Sequence, residues 1–561
     1  MPSKEEQLWD ACTSGDLDTV TRLSGDPAVD VNWADPDQKR TPLYRASGHG
    51  HTKCVAHLLA HPLIEVNKSQ MTGATPMYIA SQEGHVEVVR VLLGDPRVEV
   101  NQLTSEGSTP FLMACQNSHQ DIAGILLADS RTDPGIPALE GATPLFVACQ
   151  TGHLGIISLL LADSRVDVNQ NDEEGFSPFF MACQNGHTEA VRFLLRDRRV
   201  NTVSASNDGT TVFFIVCQNG HSEIVRLLLA SGDRPDLDFP MDDGYTPLLV
   251  ACEKGHHEVV TLLLADPRID PCRLDIQGYT PLSVAAGFGQ KMVVKLLLQD
   301  QRGDVNQPDN RDTTPLLAAS GEGHHDVVSL LLADSRVDVN KAATEDGATP
   351  FFVACQNGNT EIVAMLAAHL RLDVNLPALD NSSPLWFASQ NGHLAVVKHL
   401  FASGRDIDTF RVSSFNNKAA ADHALEQPLI PMDDFETPED HARRKDNGPL
   451  IAAVIREYED NPGEVQVKLR RERGIRDYFI GHSFALVVFF CDGFLALKPP
   501  VSPTEALAQE PVARFLSLCL SLPLDLQMVL CNRMFRSARN IVTSRDSEPG
   551  FKWLARSTTW D

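Results

Sequence analysis

Residues 143–169 read TPLFVACQTGHLGIISLLLADSRVDVN, and this stretch decides the fold. Thr143 suits the N-cap of a helix, and the proline after it suits the first helical position. The next apolar residues fall on one helical face, and Gly152 permits the left-handed turn that ends this short helix. A second apolar helix follows, ends at Asp163, and leads through a short extended segment into a turn. The stretch therefore predicts a pair of short helices followed by a hairpin.

The same pattern returns along most of the chain. A Thr-Pro or Ser-Pro pair recurs in steps of 34 residues, twice 35. The Thr or Ser of each pair lies at position 41, 75, 109, 143, 177, 246, 280, 314, 349 or 383, and Thr211-Val212 fills the one gap. This period predicts 11 repeats between about residue 30 and residue 404. A repeat array accommodates 561 residues because it grows without enlarging a single core.

The repeats resemble ankyrin repeats. The family pattern Thr-Pro-Leu…Ala…Gly-His…Leu-Leu…Asn is present from Thr143 to Asn169, and in-phase copies cover about two thirds of the chain. The resemblance implies a stack of helix pairs with hairpins projecting to one side. It also implies that the chain binds proteins through its hairpin tips and its first helices.

Two features depart from the ankyrin pattern. Aromatic residues replace the usual histidine after Thr-Pro-Leu, which predicts apolar packing in place of a Thr–His hydrogen bond. These residues are Tyr44, Tyr78, Phe146, Phe180, Phe352 and Trp386. An Asp-Pro-Arg or Asp-Ser-Arg stop mostly replaces the glycine after the second helix, so the repeat has 34 residues where about 33 is usual.

We predict an all-α chain, an ankyrin-repeat α-solenoid with short β-hairpins and a small helical C-terminal module. Residues 1–29 are expected to form an N-terminal capping repeat, and residues 30–404 the eleven ankyrin repeats. Residues 405–463 are predicted to be an irregular loop and a degenerate closing repeat. Residues 464–561 are predicted to form the helical module, in which Val465–Ile475 is a charged helix and Phe479–Leu497 an apolar one.

Charge and composition narrow the class of partner. The net charge is −26, and the acidic excess lies before Glu464, so the array repels phosphate backbones and nucleic acid is not an expected ligand. The 12 cysteines do not fit the disulfide framework of a short secreted chain. The polar start of the chain lacks the apolar core of a signal peptide, so we expect a cytoplasmic protein, with the nucleus as the alternative compartment. We also expect a monomer.

Residues 478–497 form the most apolar segment of the chain, and their length is that of a membrane span. His482, Ser483 and Asp492 interrupt the segment, and a charge at the centre of a bilayer is unfavourable. We therefore predict a buried helix rather than a transmembrane helix.

Histidines and cysteines each form a column, one residue per repeat. The histidines lie ten residues after the Thr or Ser, at positions 51, 85, 119, 153, 187, 221, 256, 324 and 393. The cysteines lie at positions 12, 115, 149, 183, 217, 252 and 355. Repeats of this family stack about 10 Å apart, the thickness of a helix layer, whereas metal ligands lie about 2 Å from a shared ion. We therefore interpret the histidines as turn residues and the cysteines as small packing residues, and predict no metal site and no cofactor.

Gln-Asn pairs end several first helices, among them Gln184-Asn185 and Gln218-Asn219. By analogy with the family these positions face the concave groove. Two interpretations stay open. The side chains could form a polar ladder that meets the backbone of a partner, or they could bond to the adjacent turn with no partner involved.

The hairpin tips are acidic. The acidic tip residues are Glu106, Glu140, Glu173, Glu174, Asp208, Asp242, Asp243, Glu345, Asp346 and Asp380. Solvated charge is the ordinary condition of an exposed loop, but a row of acids on one edge could also steer a basic partner.

Three aromatic residues, Phe176, Tyr245 and Tyr279, precede the Thr/Ser-Pro pair at a position that ankyrin proteins commonly use for contacts. Exposed aromatics make good interface anchors, and packing against the neighbouring hairpin is the alternative. If the chain has one contact centre, we expect it between Phe176 and Tyr279.

Asparagines follow the extended segment of several repeats, at positions 67, 101, 169, 306 and 340. The resemblance implies that such residues are potential substrates of an oxygen-dependent hydroxylase. Support of the hairpin backbone explains every one of them without a modification.

The sequence contains no motif of a catalytic site. A phosphate-binding glycine-rich loop, His-Glu-x-x-His, a nucleophile elbow and Cys-x-x-Cys are all absent, so we do not expect an enzyme. The predicted function is that of a scaffold or adaptor that binds other proteins. Leu522–Leu526 and the apolar residues after it faintly resemble an F-box, which implies the alternative of a substrate-recognition subunit of a ubiquitin ligase.

Overall fold

Each Thr/Ser-Pro pair begins a helix, as predicted. In the computed structural model the backbone of Thr143 is extended, and its hydroxyl accepts a hydrogen bond of 3.1 Å from the N–H of Phe146. Pro144, which has no N–H to leave unsatisfied, is the first helical residue. Thr211 forms the same cap without a proline, because its hydroxyl accepts from the N–H of Phe214 at 3.1 Å.

The structure describes residues 2–231, 237–411, 414, 419–424 and 438–472. The chain forms two compact units, of which the first ends at Ile276 and the second begins at Gln277. In each unit the first helix of a repeat packs on the first helix of the next, and second helices pack on second helices.

The first unit begins with the helix pair predicted as its cap and continues with repeats. Its helices are α1 Lys4–Ser14, α2 Leu17–Ser24, α3 Pro42–Gly48, α4 Thr52–Leu59, α5 Pro76–Gln82, α6 Val86–Leu93, α7 Pro110–Gln116, α8 Gln120–Ala128, α9 Pro144–Thr151, α10 Leu154–Ala162, α11 Pro178–Gln184, α12 Thr188–Leu194, α13 Val212–Gln218, α14 Ser222–Ala230, α15 Pro247–Lys254 and α16 His257–Ala265. A short 3₁₀ turn, Leu139–Gly141, forms one hairpin tip.

The second unit has the same alternation of helices. Its helices are α17 Pro281–Gly287, α18 Lys291–Gln299, α19 Pro315–Gly321, α20 His325–Ala333, α21 Pro350–Gln356, α22 Thr360–Ala368, α23 Pro384–Gln390, α24 Leu394–Ala402, α25 Ala420–Ala424, α26 Pro438–Asp460 and α27 Pro462–Glu472.

The core is a single layer of apolar side chains inside each helix pair and between successive pairs. Phe111, Phe179, Phe180 and Phe351 are among the largest fully buried side chains, and all four lie on first helices. The cysteine column is buried and its described members are free thiols. Burial raises the pKa of the Cys149 thiol far above its ordinary value, so this position holds a neutral, small packing residue, as predicted.

The hairpins are tight turns rather than extended β-ladders. In one of them the N–H of Asp172 donates to the carbonyl of Phe176 at 3.1 Å, and Gly175 adopts the left-handed conformation with φ of 87°. A β-bridge between Ala205 and Thr211 is the only strand pairing in the described part of the chain. The predicted all-α fold is therefore confirmed, with hairpins reduced to their turns.

Helices α26 and α27 close the second unit. Tyr458 of α26 stacks on Phe401 of α24, with ring centroids 4.0 Å apart. Arg470 of α27 donates from Nε to the carbonyl of Ala402 at 2.9 Å. Helix α27 packs on α24 and α26, and the predicted boundary between residues 463 and 464 stays a prediction.

Most of the predicted C-terminal module lies outside the described residues. That includes the apolar segment 478–497 and the F-box-like residues 522–526. Among the helices that the structure describes, none combines the length and the apolar character that crossing a bilayer requires.

Candidate protein-binding surface

The histidine column joins each repeat to the one before it. Nε2 of His187 lies 2.9 Å from the carbonyl oxygen of Gln150, and Nε2 of His221 lies 3.0 Å from that of Gln184. A carbonyl only accepts, so these ring nitrogens carry the proton. Gly186 has a φ of 74°, and a Cβ placed on it would lie 2.6 Å from the ring of His221. The predicted turn role of the histidines is confirmed.

The column is interrupted at Ser118, which stands where the other repeats have this glycine. Ser118 keeps the left-handed conformation with φ of 66°, and its hydroxyl contacts the ring of His153. Burial, followed by the nearby His187, lowers the pKa of His153. A side chain at the glycine position therefore redirects the histidine of the next repeat.

The Asp-x-Arg stops act as clamps between repeats. Arg165 pairs with Asp163 at 2.6 Å, and its guanidinium also donates to the carbonyl of Leu127 in the preceding repeat at 2.7 Å. That carbonyl belongs to the last turn of α8, where helices leave carbonyls unpaired. The same arrangement joins Arg97 to Leu59, Arg131 to Leu93, Arg199 to Leu161 and Arg336 to Leu298.

These clamps predict sensitivity to acid. The paired arginine holds the pKa of Asp163 and of Asp197 below the ordinary value. A carboxyl with a lower pKa in the folded state stabilises the fold above its unfolded pKa of about 4, and this stabilisation is lost as pH falls through the folded value. Urea unfolding between pH 6 and pH 3 should show a steep loss of unfolding free energy below about pH 4. The double variant Asp163→Asn with Asp197→Asn should show a shallower loss. Glu174→Gln, which removes an exposed tip carboxylate, is the matched control, and an equal slope in both variants would contradict the clamp.

The asparagine column supports the loop of the following repeat. Nδ2 of Asn169 donates to the carbonyl of Arg199 at 2.7 Å, and its Oδ1 accepts from the N–H of Asn201 at 2.7 Å. Both ends of the amide are used inside the stack, in agreement with the backbone-support interpretation.

The Gln-Asn pairs are also used within the unit. Asn219 donates from Nδ2 to the carbonyl of Gln184 at 2.9 Å, and Asn185 donates to the carbonyl of Met181 at 3.1 Å. Gln184 and Gln218 are half-buried, and the carbonyl of Gln218 lies 2.9 Å from Nε2 of His256. The asparagines thus bond within the stack as the adjacent-turn interpretation describes, and a partner role for these asparagine and glutamine side chains stays a prediction.

The three predicted contact aromatics are half-buried. The ring of Phe176 packs on Phe180 with centroids 4.8 Å apart. The hydroxyl of Tyr245 donates to Glu253 at 2.7 Å, and burial together with this carboxylate raises the pKa of Tyr245. Phe176 and Tyr245 lie in the first unit and Tyr279 lies in the second. Their role as partner anchors stays a prediction.

Successive hairpin tips of the first unit are joined by backbone hydrogen bonds. The N–H of Leu139 donates to the carbonyl of Glu106 at 3.2 Å, and that of Glu173 to the carbonyl of Glu140 at 2.9 Å. The N–H of Asn207 continues the series by donating to the carbonyl of Glu174 at 2.9 Å. We call residues 105–107, 139–141, 173–175 and 207–209 the hairpin ridge.

The hairpin ridge presents carboxylates on a connected backbone. Glu106, Glu140, Glu173, Glu174 and Asp208 are all exposed, and so are Asp242 and Asp243 of the next hairpin. The ridge also exposes an apolar side chain that the sequence analysis did not single out, since Leu139 is 62% exposed. The sequence signal for Leu139 was its position next to an acidic residue at a predicted turn.

The comparison with protein families agrees with this architecture. A family model described as ankyrin repeats (3 copies) matches residues 8–104, 63–138, 111–204, 179–275, 267–343 and 335–411. The chain belongs to the ankyrin-repeat family. Ankyrin repeats are protein-interaction modules, so this ankyrin-repeat protein carries an array of the kind that binds other proteins. No curated protein matches the chain.

The geometry of this ankyrin-repeat protein also bears on metal binding. No group of three or more His, Cys, Asp and Glu side chains in the described ranges is arranged to hold a metal ion. The absence of catalytic, metal-binding and cofactor-binding residues stays a prediction from the sequence. The candidate surface of this ankyrin-repeat protein is therefore the part of each repeat that the stack leaves exposed, above all the hairpin ridge.

Proposed function

We propose that this ankyrin-repeat protein is a scaffold or adaptor that binds a basic partner protein through the hairpin ridge. The observation that carries the proposal is the row of exposed carboxylates on tips that are joined through their backbones. A connected backbone holds the charges at fixed spacing, so a partner does not have to order the tips when it binds. A row of like charges also raises the rate of encounter with an oppositely charged surface.

The aromatic residues beside the ridge complete the proposed surface. Phe176 follows the ridge residue Gly175, Tyr245 follows Gly244 of the next hairpin, and both residues are half-buried. Half-buried aromatics at the base of a charged ridge supply apolar contact area that carboxylates lack. The proposal therefore assigns steering to the acids and short-range contact to the aromatics.

Neutralising the ridge tests this function. The ridge variant combines Glu140→Gln, Glu173→Gln, Glu174→Gln and Asp208→Asn. We expect its association rate with the partner to fall about tenfold at low salt and the salt dependence to flatten, because steering is electrostatic. Crosslinking mass spectrometry of the full chain in cells identifies the partner, and stopped-flow kinetics with the purified partner measures the rate.

The control variant removes the same number of exposed acids away from the ridge. It combines Glu65→Gln, Glu87→Gln, Glu99→Gln and Glu258→Gln. An equal loss of rate in both variants would mean that net charge, not the ridge, governs binding. An unchanged rate in the ridge variant would exclude the ridge as the docking surface.

A further inference from the structure

A groove lies on the second-helix side of the first unit, away from the hairpin ridge. It has a volume of about 350 Å³, runs between α10 and α12, and we call it the α10–α12 groove. Its lining includes Leu154, Ser158, Glu189, Arg192, Phe193 and Arg196. The lining thus combines apolar side chains with two arginines and one acidic residue.

The α10 side of the lining is uncharged because α10 differs from the other second helices. The helix Leu154–Ala162 contains no charged residue, whereas the neighbouring α14 carries Glu223 and Arg226. Leu154 is 43% exposed, although it is a large apolar side chain. Gly155 also lines the groove, and its missing side chain leaves room for the side chain of Gln120 from α8. An exposed apolar groove on a folded protein marks a binding surface more often than an isolated exposed leucine does.

Two arginines, Arg196 in the groove lining and Arg198 two residues after it, are not needed by the repeat. Arg199 forms the usual clamp with Asp197 at 2.6 Å. Arg196 and Arg198 flank this aspartate at positions where the other Asp-x-Arg stops have Gly, Ala or Gln before it and Pro, Ser or Gln after it. Both extra arginines are exposed.

Neither extra charge has an acidic partner in the part of the chain that the structure describes. Arg192 pairs with Glu189 and with Glu223, each at 3.4 Å, but neither Arg196 nor Arg198 forms an ion pair within the described residues. A chain with a net charge of −26 thus carries, within three residues, two arginines without an ion pair in the described ranges, and one of them, Arg196, lines the groove. Such a local reversal of sign selects for an acidic ligand.

We propose that the α10–α12 groove docks a short amphipathic segment of another protein that carries carboxylates beside its apolar side chains. The apolar side chains pack on Leu154 and Phe193, and the carboxylates pair with Arg196 and Arg198. Charge complementarity decides between occupants, because a basic segment meets the arginines and a nucleic acid meets the acidic array. This inference concerns a second surface and does not depend on the hairpin ridge.

A designed peptide is the probe. It has about 14 residues, with Leu at positions i, i+3, i+4 and i+7 and Glu on the opposite face. One control peptide has Lys in place of Glu, and the other has Ser in place of Leu. Fluorescence anisotropy with the full chain should show the Leu/Glu peptide binding at least about tenfold more tightly than either control.

Three variants locate the binding. Arg196→Ala with Arg198→Ser installs residues that other stops carry, so the fold is retained, and we expect about five- to tenfold weaker peptide binding. Ser158→Trp fills the groove from an exposed position and should abolish binding. Arg311→Ser, which removes an exposed arginine from a hairpin of the second unit, should leave it unchanged.

Several results would overturn the proposal. Equal binding of the Lys peptide would remove the role of charge, and binding that survives Ser158→Trp would place the peptide elsewhere. Sedimentation that shows self-association of the wild type, abolished by Ser158→Trp, would make a second copy of this chain the occupant. The ridge variant should keep full peptide binding, so failure of this proposal and failure of the proposed function are separable.

Discussion

Replacing Gly186 by Ala should lower the free energy of unfolding by about 3 kcal/mol. An L residue in the left-handed region costs about 1–2 kcal/mol, and Gly186 has a φ of 74°. The new Cβ would also lie 2.6 Å from the ring of His221 and displace it from the carbonyl of Gln184, a bond that contributes about 1 kcal/mol. Urea unfolding followed by circular dichroism measures the change.

Gly209→Ala is the matched control for this effect. Gly209 has a similar φ of 83°, but a Cβ placed on it has no atom within 4 Å. Its substitution should therefore cost only the conformational part, about 1–2 kcal/mol. If both variants lost the same stability, the contact between the turn glycine and the next histidine would contribute nothing. Ser118 already shows the structural consequence, because the ring of His153 turns to its hydroxyl instead of a carbonyl.

Helix starts and the stacking order were predictable because their causes are local. The Thr/Ser cap and the first-turn proline act within four residues, as the bond from Phe180 N–H to the Ser177 hydroxyl at 3.1 Å illustrates. The period then determines which residues recur one repeat apart. For this reason the buried position of Cys183 and the turn role of the histidines followed from spacing before any contact was known.

The hydrogen-bond partners of repeated polar side chains were less predictable, because the sequence left two kinds of partner open for each. Asn219 at the end of a first helix could have met a partner or the adjacent turn, and only the structure places its Nδ2 2.9 Å from the Gln184 carbonyl. Arg196 and Arg198 are visible in the sequence as departures from the common pattern of the repeats. They differ from the small or uncharged residues of the other stops, and a difference between repeats marks a surface that the stack does not require.

The continuous helix of the closing layer was not predictable from local propensity, because packing decides it. Gly448 and Pro449 suggest a break, yet α26 runs through both from Pro438 to Asp460. Ile451 and Ile455 are fully buried just after them, and the backbone of Gly448 lies against Ala424 of α25. A glycine allows this close approach, so the same residue that weakens an isolated helix permits the packing that holds this one.

Two neighbouring rings of the first unit, Phe180 and Phe176, separate the contribution of the core to stability from contact at the surface. Phe180 is 1% exposed, and Phe180→Ala should lower the free energy of unfolding by about 3–5 kcal/mol because it leaves a cavity between repeats. Phe176 is half-buried and packs on Phe180, so Phe176→Ala should cost only about 1 kcal/mol. Urea unfolding compares the two variants, and hydrogen exchange should show the loss in Phe180→Ala spreading to the adjacent repeats, since each repeat is stabilised by its neighbours.

The same pair tests the proposed contact role of Phe176. If this ring anchors a partner, Phe176→Ala should weaken partner binding by about 1–2 kcal/mol while the array stays folded. Unchanged binding would assign Phe176 to packing alone. Loss of stability in Phe176→Ala as large as in Phe180→Ala would show that the hairpin base belongs to the core. A partner anchor on the surface predicts that Phe176→Ala lowers the free energy of unfolding only slightly and partner affinity strongly. The reason is that a partner would cover the part of the Phe176 ring that its own repeat leaves exposed.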